Sequence, residues 1–516
     1  MNKKANKKAN KKANKEAHRE ANKEAHREAN KKAKESKQES KQGSAQGSKQ
    51  ESKQGSKQES QGSVQESAQG SKQESAQGSA RKRIESAVEP PAGFRQRVHK
   101  TGGATTMKFL KFLVQHIVVH LWLLLDLAGL GYYLYYRDDR EKMNELAETI
   151  TRPVQAQLGQ WSSRTAYSVM EILTVVLVFL VIAFLFWSLI SVLADKGHRL
   201  HRLYSNLMTA VCFTGFLVAA GLLLWGTNFR TDNFQDKSGM KAQPVSTEDL
   251  KAVTTYFARA LSYVSNTVDR DPAGRFAVPK ETILEEAPRA YNNVETTFPF
   301  LEFDDVGVKA MIFSRLMSAM DFTGFYCSYT GEANVNVDSP ACLLPSTCAH
   351  EMAHQRGFAS EQECNFLAVL ACVTSGMPDY VYSGYLMGYI YLGNALYAAD
   401  PDAYWSIRQR LPESVVADLT QNNNYWDQFR GTKIQEVSNE VYDKLLKTYG
   451  DERGMQSYGD MVDLLVAYWL PALRATAGAE AETGAETVPD APGAAAETPP
   501  EPAAAMPTEP AEKMMV

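Results

Sequence analysis

The sequence predicts a mainly α-helical protein in which three transmembrane helices precede a predominantly helical outer domain. Long apolar runs follow one another in the first half of the 516-residue chain, and helical spacing of apolar residues dominates the second half. One short segment, directly before an HExxH motif, is typical of an edge strand. Both ends of the chain are poor in large apolar residues, and we expect them to be disordered tails.

Composition divides the chain into four regions. Residues 1–106 are polar, basic repeats with too few apolar side chains to offset the entropy of ordering them. Residues 107–228 form a membrane domain, residues 229–472 the outer domain, and residues 473–516 an Ala/Pro/Glu-rich tail. Because no aromatic residues interleave with the N-terminal lysines, we expect no nucleic-acid partner. Met107 begins MKFLKFL, so a native start there is a second reading of the N-terminal region.

Three apolar segments predict three membrane spans, at about residues 112–136, 167–194 and 204–226. Each exceeds the roughly 20 residues that a helix needs to cross the hydrocarbon core of a bilayer. A cleavable signal peptide is a poor alternative for the first segment, because its apolar region is too long and no small-residue cleavage site follows.

Lysine and arginine residues predict the orientation, because cytoplasmic segments carry an excess of both. The first span follows the basic segment RKRIESAVEPPAGFRQRVHK, and the loop between the second and third spans is DKGHRLHR. The loop at residues 137–166 is mixed in sign. We therefore expect a multi-pass cell-membrane protein with a cytoplasmic N-terminus and an extracytoplasmic domain after the third span.

The outer domain is predicted to be mostly helical. Ser246 and Asp249 resemble an N-terminal capping box ahead of an amphipathic run. Residues 436–448 and 458–470 show the same helical spacing of apolar residues. The strand-like stretch is YTGEANVNV, residues 329–337, and its edge would hold an extended peptide by main-chain hydrogen bonds.

Residues 347–366 read TCAHEMAHQRGFASEQECNF and contain the HExxH motif. On a helix, His350 and His354 lie one turn apart on the same face, so both imidazoles can bind one zinc ion. Glu351 lies beside them, where its carboxylate can take a proton from the attacking water and later deliver it to the leaving group. Gly357 can end this helix, and a second helix follows. The pattern predicts a zinc-dependent hydrolase.

The second helix offers the third metal ligand, with Glu361 favoured and Glu363 as the alternative. Ser360 and Glu363 fit a capping box, which would give Glu363 a structural role. Glu361 and Asn365 have i, i+4 spacing, so Asn365 could orient the Glu361 carboxylate from outside the metal site. The gap between His354 and Glu361 is shorter than in most zinc peptidases with a glutamate ligand.

Candidates for substrate contact lie on the predicted strand and in a later SYG segment; they are Glu332, Asn334, Asn336 and Tyr458. A zinc hydrolase also needs a donor for the oxyanion that develops on the substrate. Tyr382, Tyr385 and Tyr389 share one helical face, but packing is their expected role.

The chain resembles the bacterial family catalogued as domain of unknown function 3810 in its three N-terminal spans and in three segments. The segments are YTGEANVNVDSP, LPSTCAHEMAHQRGFASEQECNFLAVLAC and MQSYGDMVDLL. The resemblance covers about residues 107–472. It implies a membrane-anchored, zincin-like protein of unassigned activity, and it places on the family's motif and second helix His350, Glu351, His354, Glu361, Glu363 and Asn365. More loosely, a glutamate and an asparagine on a second helix are similar to membrane metallopeptidases of the antibiotic-sensor type.

The leading expectation is a membrane-anchored zinc metallopeptidase that hydrolyses a peptide or protein substrate at the cell envelope, on the outer side of the membrane. The alternative is a non-catalytic receptor or envelope scaffold with a structural metal site. A third hypothesis, a sensor-protease that signals through its cytoplasmic tail, lacks a recognisable effector domain. Zinc is the expected cofactor, and the lipid bilayer is an expected partner.

Overall fold

The computed structural model describes residues 111–449 and 459–483 of the chain. The repeats at residues 1–106, most of the C-terminal tail and Tyr458 lie outside the described residues. What was predicted for them stays a prediction.

The described chain begins with five helices, three of which are candidates for membrane spans. The helices are α1 (Ile117–Tyr136), α2 (Arg140–Leu146), α3 (Arg152–Ser162), α4 (Val169–Ala194) and α5 (Arg199–Leu224). By length and composition α1, α4 and α5 are apolar enough to cross a membrane, which confirms the three predicted spans and indicates a membrane protein. The Ser168 hydroxyl starts α4 by accepting a hydrogen bond from the backbone N–H of Glu171 at 3.2 Å.

The rest of the described chain is mostly helical, as predicted, with one small sheet. The first elements are α6 (Phe234–Ser238), α7 (Thr247–Val264), α8 (Lys280–Glu286), α9 (Val294–Thr297), β1 (Lys309–Ala310), α10 (Ser314–Ala319), β2 (Gly324–Cys327) and β3 (Glu332–Val335). They are followed by α11 (Leu344–Gln355), α12 (Glu361–Thr374), α13 (Pro378–Ala399), α14 (Pro401–Arg408), α15 (Glu413–Trp426), α16 (Lys433–Tyr449) and α17 (Gly459–Thr483).

The core of this region lies between α7, α11, α12, α13 and α17. Ser246 caps α7 as predicted, because its hydroxyl accepts a hydrogen bond from Asp249 N–H at 3.1 Å. Tyr382, Tyr385 and Tyr389 of α13 are buried in the core, as expected for packing residues. The two helices that carry the HExxH segment, α11 and α12, are therefore held from several sides.

The strand before the HExxH helix is the centre of its sheet, so the predicted edge strand is wrong. The sheet order is β1-β3-β2, with β3 parallel to β1 and antiparallel to β2. All four residues of β3 are buried, which is typical of a strand covered on both faces and paired on both edges. The edge strand beside α11 is instead β2.

Candidate metal centre

The HExxH segment is a helix, a glycine turn and a second helix. Pro345 occupies the first turn of α11, where its missing N–H removes no helical hydrogen bond. Gly357 follows the helix with φ of 85°, a left-handed conformation that glycine adopts without steric cost. Ser360 then caps α12, accepting from Glu363 N–H at 3.5 Å. This turn brings the first residue of α12 back against the two histidines of α11.

Three side chains from these helices converge on one point. His350 Nε2 lies 3.2 Å from Glu361 Oε2, and His354 Nε2 lies 3.7 Å from Glu361 Oε1. One ligand atom from each residue lies within 4.8 Å of the others. Ligand atoms bonded to a tetrahedral zinc ion at about 2.0–2.2 Å are about 3.3 Å from one another. The donor set and its spacing therefore fit zinc.

The orientation of the His354 ring is fixed by a hydrogen bond on the side away from Glu361. Its Nδ1 lies 2.7 Å from the carbonyl oxygen of Phe358, which can only accept, so Nδ1 carries the proton. In the neutral ring, Nε2 then carries the lone pair that can bind a metal, as in most histidine ligands. The ring also makes an edge contact with Trp225, at the end of α5, with centroids 5.4 Å apart.

Glu351 points into the same space from the adjacent position of α11. Its side chain is 4% exposed, and its Oε2 has no hydrogen-bond partner among the described residues. Burial raises the pKa of Glu351 to about 7, against the lowering effect of His350 and His354. A buried carboxylate with an unpaired oxygen, next to His350, His354 and Glu361, can take a proton from a water molecule in the same space.

Close approach of β2 to Glu351 depends on Gly324. A Cβ atom added at Gly324 would lie 2.2 Å from Glu351 Oε1 and 2.7 Å from its Cγ and Cδ. Gly324→Ala should therefore displace the Glu351 side chain or β2, and overpacking of this kind costs about 1–3 kcal/mol. We expect lower thermal stability of the purified protein and a loss of any hydrolytic activity.

Gly307→Ala is the matched control for this substitution, because a Cβ at Gly307 meets nothing within 4 Å. Equal melting temperatures and activities of the Gly324→Ala and Gly307→Ala proteins would contradict a tight contact between β2 and Glu351.

Tyr442, which the sequence analysis did not identify, completes the surroundings of Glu361. Its hydroxyl, on α16, donates a hydrogen bond to Glu361 Oε1. Burial alone would raise the pKa of Glu361, but its contacts with His350 and His354 hold that pKa well below the usual range. The two imidazoles therefore favour the ionised form of Glu361, which is the form that can bind a metal.

The alternative third ligand, Glu363, is wrong in this structure because its carboxylate faces another helix. Its Oε1 and Oε2 accept hydrogen bonds from the backbone N–H of Phe234 at 3.0 Å, and Oε1 also accepts from Gln235 N–H at 3.4 Å. These bonds satisfy free N–H groups at the start of α6. The structural role predicted for Glu363 is therefore made by these bonds to α6, while Ser360 caps α12 through the Glu363 N–H.

Asn365 lines the cavity beside the centre but does not orient Glu361 as predicted. Its Nδ2 donates to the Tyr391 hydroxyl at 3.0 Å, and its Oδ1 has no partner among the described residues. Tyr442, and not Asn365, donates a hydrogen bond to the Glu361 carboxylate from outside the cluster.

The predicted substrate contacts on the strand are also wrong, because all three are buried structural groups. Glu332 pairs with Lys309 at 2.5 Å and accepts hydrogen bonds from the first N–H groups of α4, at Val169 and Met170. Asn334 Nδ2 donates to backbone carbonyl oxygens, and Asn336 Nδ2 donates to one such oxygen and to a serine hydroxyl. Their alternation in the sequence reflects the sheet and not a binding surface.

A cavity of about 300 Å³ opens onto the cluster. Its wall is made by the end of α5, by β2 and by one face each of α11, α12, α13, α15 and α16. It is large enough for a few residues of a peptide but not for a folded protein. β2 is an edge strand, and all four of its residues, Gly324–Cys327, line this cavity.

Comparison with known proteins gives one finding. The model of a family described as a protein of unknown function, DUF3810, matches residues 147–466. This match includes α4, α5, the sheet and both helices of the HExxH segment. No curated protein and no solved structure matches the chain.

Proposed function

The chain belongs to the DUF3810 family, and we propose that it is a membrane-anchored zinc metallopeptidase that hydrolyses peptide bonds on the outer side of the membrane. The observation that carries this proposal is the convergence of His350, His354 and Glu361 next to the buried, partly unpartnered carboxylate of Glu351. A structural metal site needs the first three groups but has no use for the fourth.

Zinc bound by His350, His354 and Glu361 would supply Lewis-acid chemistry, polarising a peptide carbonyl and acidifying water. The chain itself supplies the proton transfers. Glu351 accepts the proton of the attacking water through its free Oε2 and delivers it to the nitrogen of the leaving amine. The Tyr442 hydroxyl is a positioning group that fixes the Glu361 carboxylate.

The substrate would lie extended along β2. An edge strand offers main-chain N–H and C=O groups to a peptide that adds to the sheet, and β2 borders the cavity from Gly324 to Cys327. This is the role that the sequence analysis assigned to residues 329–337, moved to the neighbouring strand.

The outer location of the site rests on charge. The basic segment before the first span and the basic loop between α4 and α5 support a cytoplasmic assignment for both. The end of α5 then lies on the outer side of the membrane, together with the three candidate metal ligands beside Trp225.

The proposal is tested by the zinc content of the full-length protein in detergent. We expect about one zinc ion per chain in the wild type and loss of it in His354→Ala, because two remaining protein ligands hold zinc poorly. His198→Ala is the control, since the exposed His198 lies in the loop before α5. A wild-type protein that binds no zinc after equilibration with the metal would overturn the proposal, as would unchanged zinc binding by His354→Ala.

A further inference from the structure

We propose that the substrate of this site is a polypeptide anchored in the same membrane, which enters the cavity sideways from the bilayer between α5 and α16. This inference rests on the proposed peptidase activity and adds the substrate class and its route. The position of the cavity relative to α5, the apolar surface of α16 and the residues at the rim carry it.

The cavity borders a membrane span directly. Gly221 and Trp225, in the last turn of α5 and just after it, line the cavity together with Tyr329. The Tyr329 hydroxyl donates a hydrogen bond to the carbonyl of Leu217 at 2.8 Å. Leu217 lies seven residues before the end of α5, which corresponds to about 10 Å along a helix. The wall of the cavity therefore extends beside the membrane-spanning part of the chain.

The second wall, α16, has three distinct faces. The cavity face carries Asn439, Tyr442, Leu446 and Tyr449, and Leu445 lines the cavity at the edge of this face. A charged face carries the ion pairs of Glu440 with Lys444 and of Asp443 with Lys447. The third face is an apolar stripe, 45–61% exposed, formed by Ile434, Val437, Val441 and Leu445. A helix with separate charged and apolar faces is typical of one that lies in a membrane interface.

The apolar stripe of α16 leads to the end of the span. Tyr449, in the last turn of α16, stacks on Phe229 with centroids 5.4 Å apart. The Tyr449 hydroxyl also lies 3.7 Å from the position that a Cβ of Gly221 would take. The bilayer that surrounds α5 is thus the surface nearest to the C-terminal end of the stripe, and lipid is the occupant we assign to it.

A second exposed apolar group is fixed at the start of another span. Ile312, Phe313 and Leu316 are exposed, and the backbone N–H groups of Ile312 and Phe313 donate to the Glu171 carboxylate of α4 at 2.8 Å. Glu171 lies in the first turn of α4. One apolar surface is therefore attached to the start of α4 and the other to the end of α5. When both helices cross the membrane these two ends lie on the same side, as a common membrane boundary requires.

The rim of the cavity is apolar and exposed where it meets this boundary. Phe325, Tyr329 and Leu445 all line the cavity and are 42–45% exposed. Exposed apolar side chains grouped at one rim mark contact with a membrane or with another polypeptide, and a membrane segment of the substrate supplies both. The scissile bond should then lie within a few residues of the substrate's own membrane anchor.

Contact of α16 with lipid can be measured without any substrate. We would label Val441→Cys with the fluorophore NBD, in phosphatidylcholine vesicles that contain nitroxide-labelled lipid; the six native cysteines are buried. We expect at least about twofold quenching by the lipid nitroxide and little quenching by aqueous iodide. Glu440→Cys, on the charged face, should show the reverse, and Val437→Cys repeats the test should Val441→Cys fail to fold. Iodide quenching at Val441 and Val437 equal to that at Glu440 would overturn the inference.

The substrate class is tested with a bait, an unfolded casein segment presented to zinc-loaded protein in vesicles. The segment would be free in solution, joined directly to a single transmembrane helix, or joined to it through a spacer of about 40 Gly/Ser residues. We expect the directly joined bait to be cut at least about tenfold faster than the free one, and faster than the bait with the spacer.

The bait with the spacer distinguishes lateral entry from simple enrichment of the substrate at the membrane. Both anchored baits are enriched equally, but only the directly joined bait has its cleavage site next to the bilayer. Equal rates for the two anchored baits, or faster cleavage of the free bait, would overturn the lateral route and leave the peptidase proposal standing. Cleavage of none of the three would overturn the peptidase proposal itself.

Discussion

Glu351→Gln is expected to lower the rate of peptide hydrolysis by about 10²–10⁴-fold, the range that a positioned general base contributes. Glutamine keeps the volume of the side chain but cannot take a proton from water. Because the carboxylate is buried and its pKa is raised to about 7, a neutral amide removes a desolvation cost. We therefore expect zinc content to be unchanged and the melting temperature to be equal to or above that of the wild type.

The measurement is kcat and KM for a zinc-loaded, full-length protein in detergent, together with its metal content. Glu440→Gln is the matched control, because it makes the same chemical change at an exposed residue of α16, which pairs with Lys444 at 2.6 Å. Loss confined to kcat in Glu351→Gln agrees with a proton-transfer role. Wild-type rates in this variant would remove Glu351 from the mechanism. Zinc binding without hydrolysis by either protein would favour the structural-metal alternative.

The parts of the site that the sequence predicts correctly are those decided by local geometry. His350 and His354 share a face because their spacing matches one helical turn. Pro345, Gly357 and Ser360 mark helix boundaries because each has a conformational preference that acts within one or two residues. The membrane spans can also be predicted from local sequence, because the thickness of the bilayer sets the length and apolarity that every crossing helix needs.

The parts that the sequence could not predict depend on contacts between distant segments. Tyr442 lies 81 positions from Glu361. The spacing of apolar residues predicts its helix, but it does not predict which helix packs beside it. The order β1-β3-β2 depends on β1, a strand of two residues that no periodicity can reveal. Glu332 alternates with Asn334 as a solvent-facing strand residue would, yet it binds the first turn of a membrane span. Alternation identifies a strand but does not identify what covers it.

A glycine contact between the sheet and α3 has the second large expected effect. Gly331, in the turn between β2 and β3, has a φ of 67°. A Cβ there would lie 2.4 Å from the carbonyl oxygen of Gln155 and from the nitrogen of Gly159. Both are backbone atoms of α3, so they can move away only if the helix itself moves. The Gly331 carbonyl also accepts a hydrogen bond from Gln355 Nε2, at the end of the HExxH helix, at 3.2 Å.

Gly331→Ala combines two costs that can be separated. The left-handed conformation costs an alanine about 1–2 kcal/mol, and forcing α3 away from the turn adds about 1–3 kcal/mol. Gly239→Ala carries only the first cost, because Gly239 has a φ of 71° and a Cβ there meets nothing within 4 Å. We therefore expect Gly331→Ala to lower the free energy of unfolding by about 2–5 kcal/mol and Gly239→Ala by the smaller amount.

Unfolding of the full-length protein in detergent, followed by tryptophan fluorescence, measures both variants, and their zinc content gives a second readout. The Gly331 turn joins α3 to the end of α11 through Gln355. Loosening it should therefore release zinc before the protein unfolds, whereas Gly239→Ala should keep its zinc up to the unfolding transition. Equal destabilisation of the two variants would mean that α3 does not press on the sheet. Support of the HExxH helix by α3 through the Gly331 turn would then be excluded.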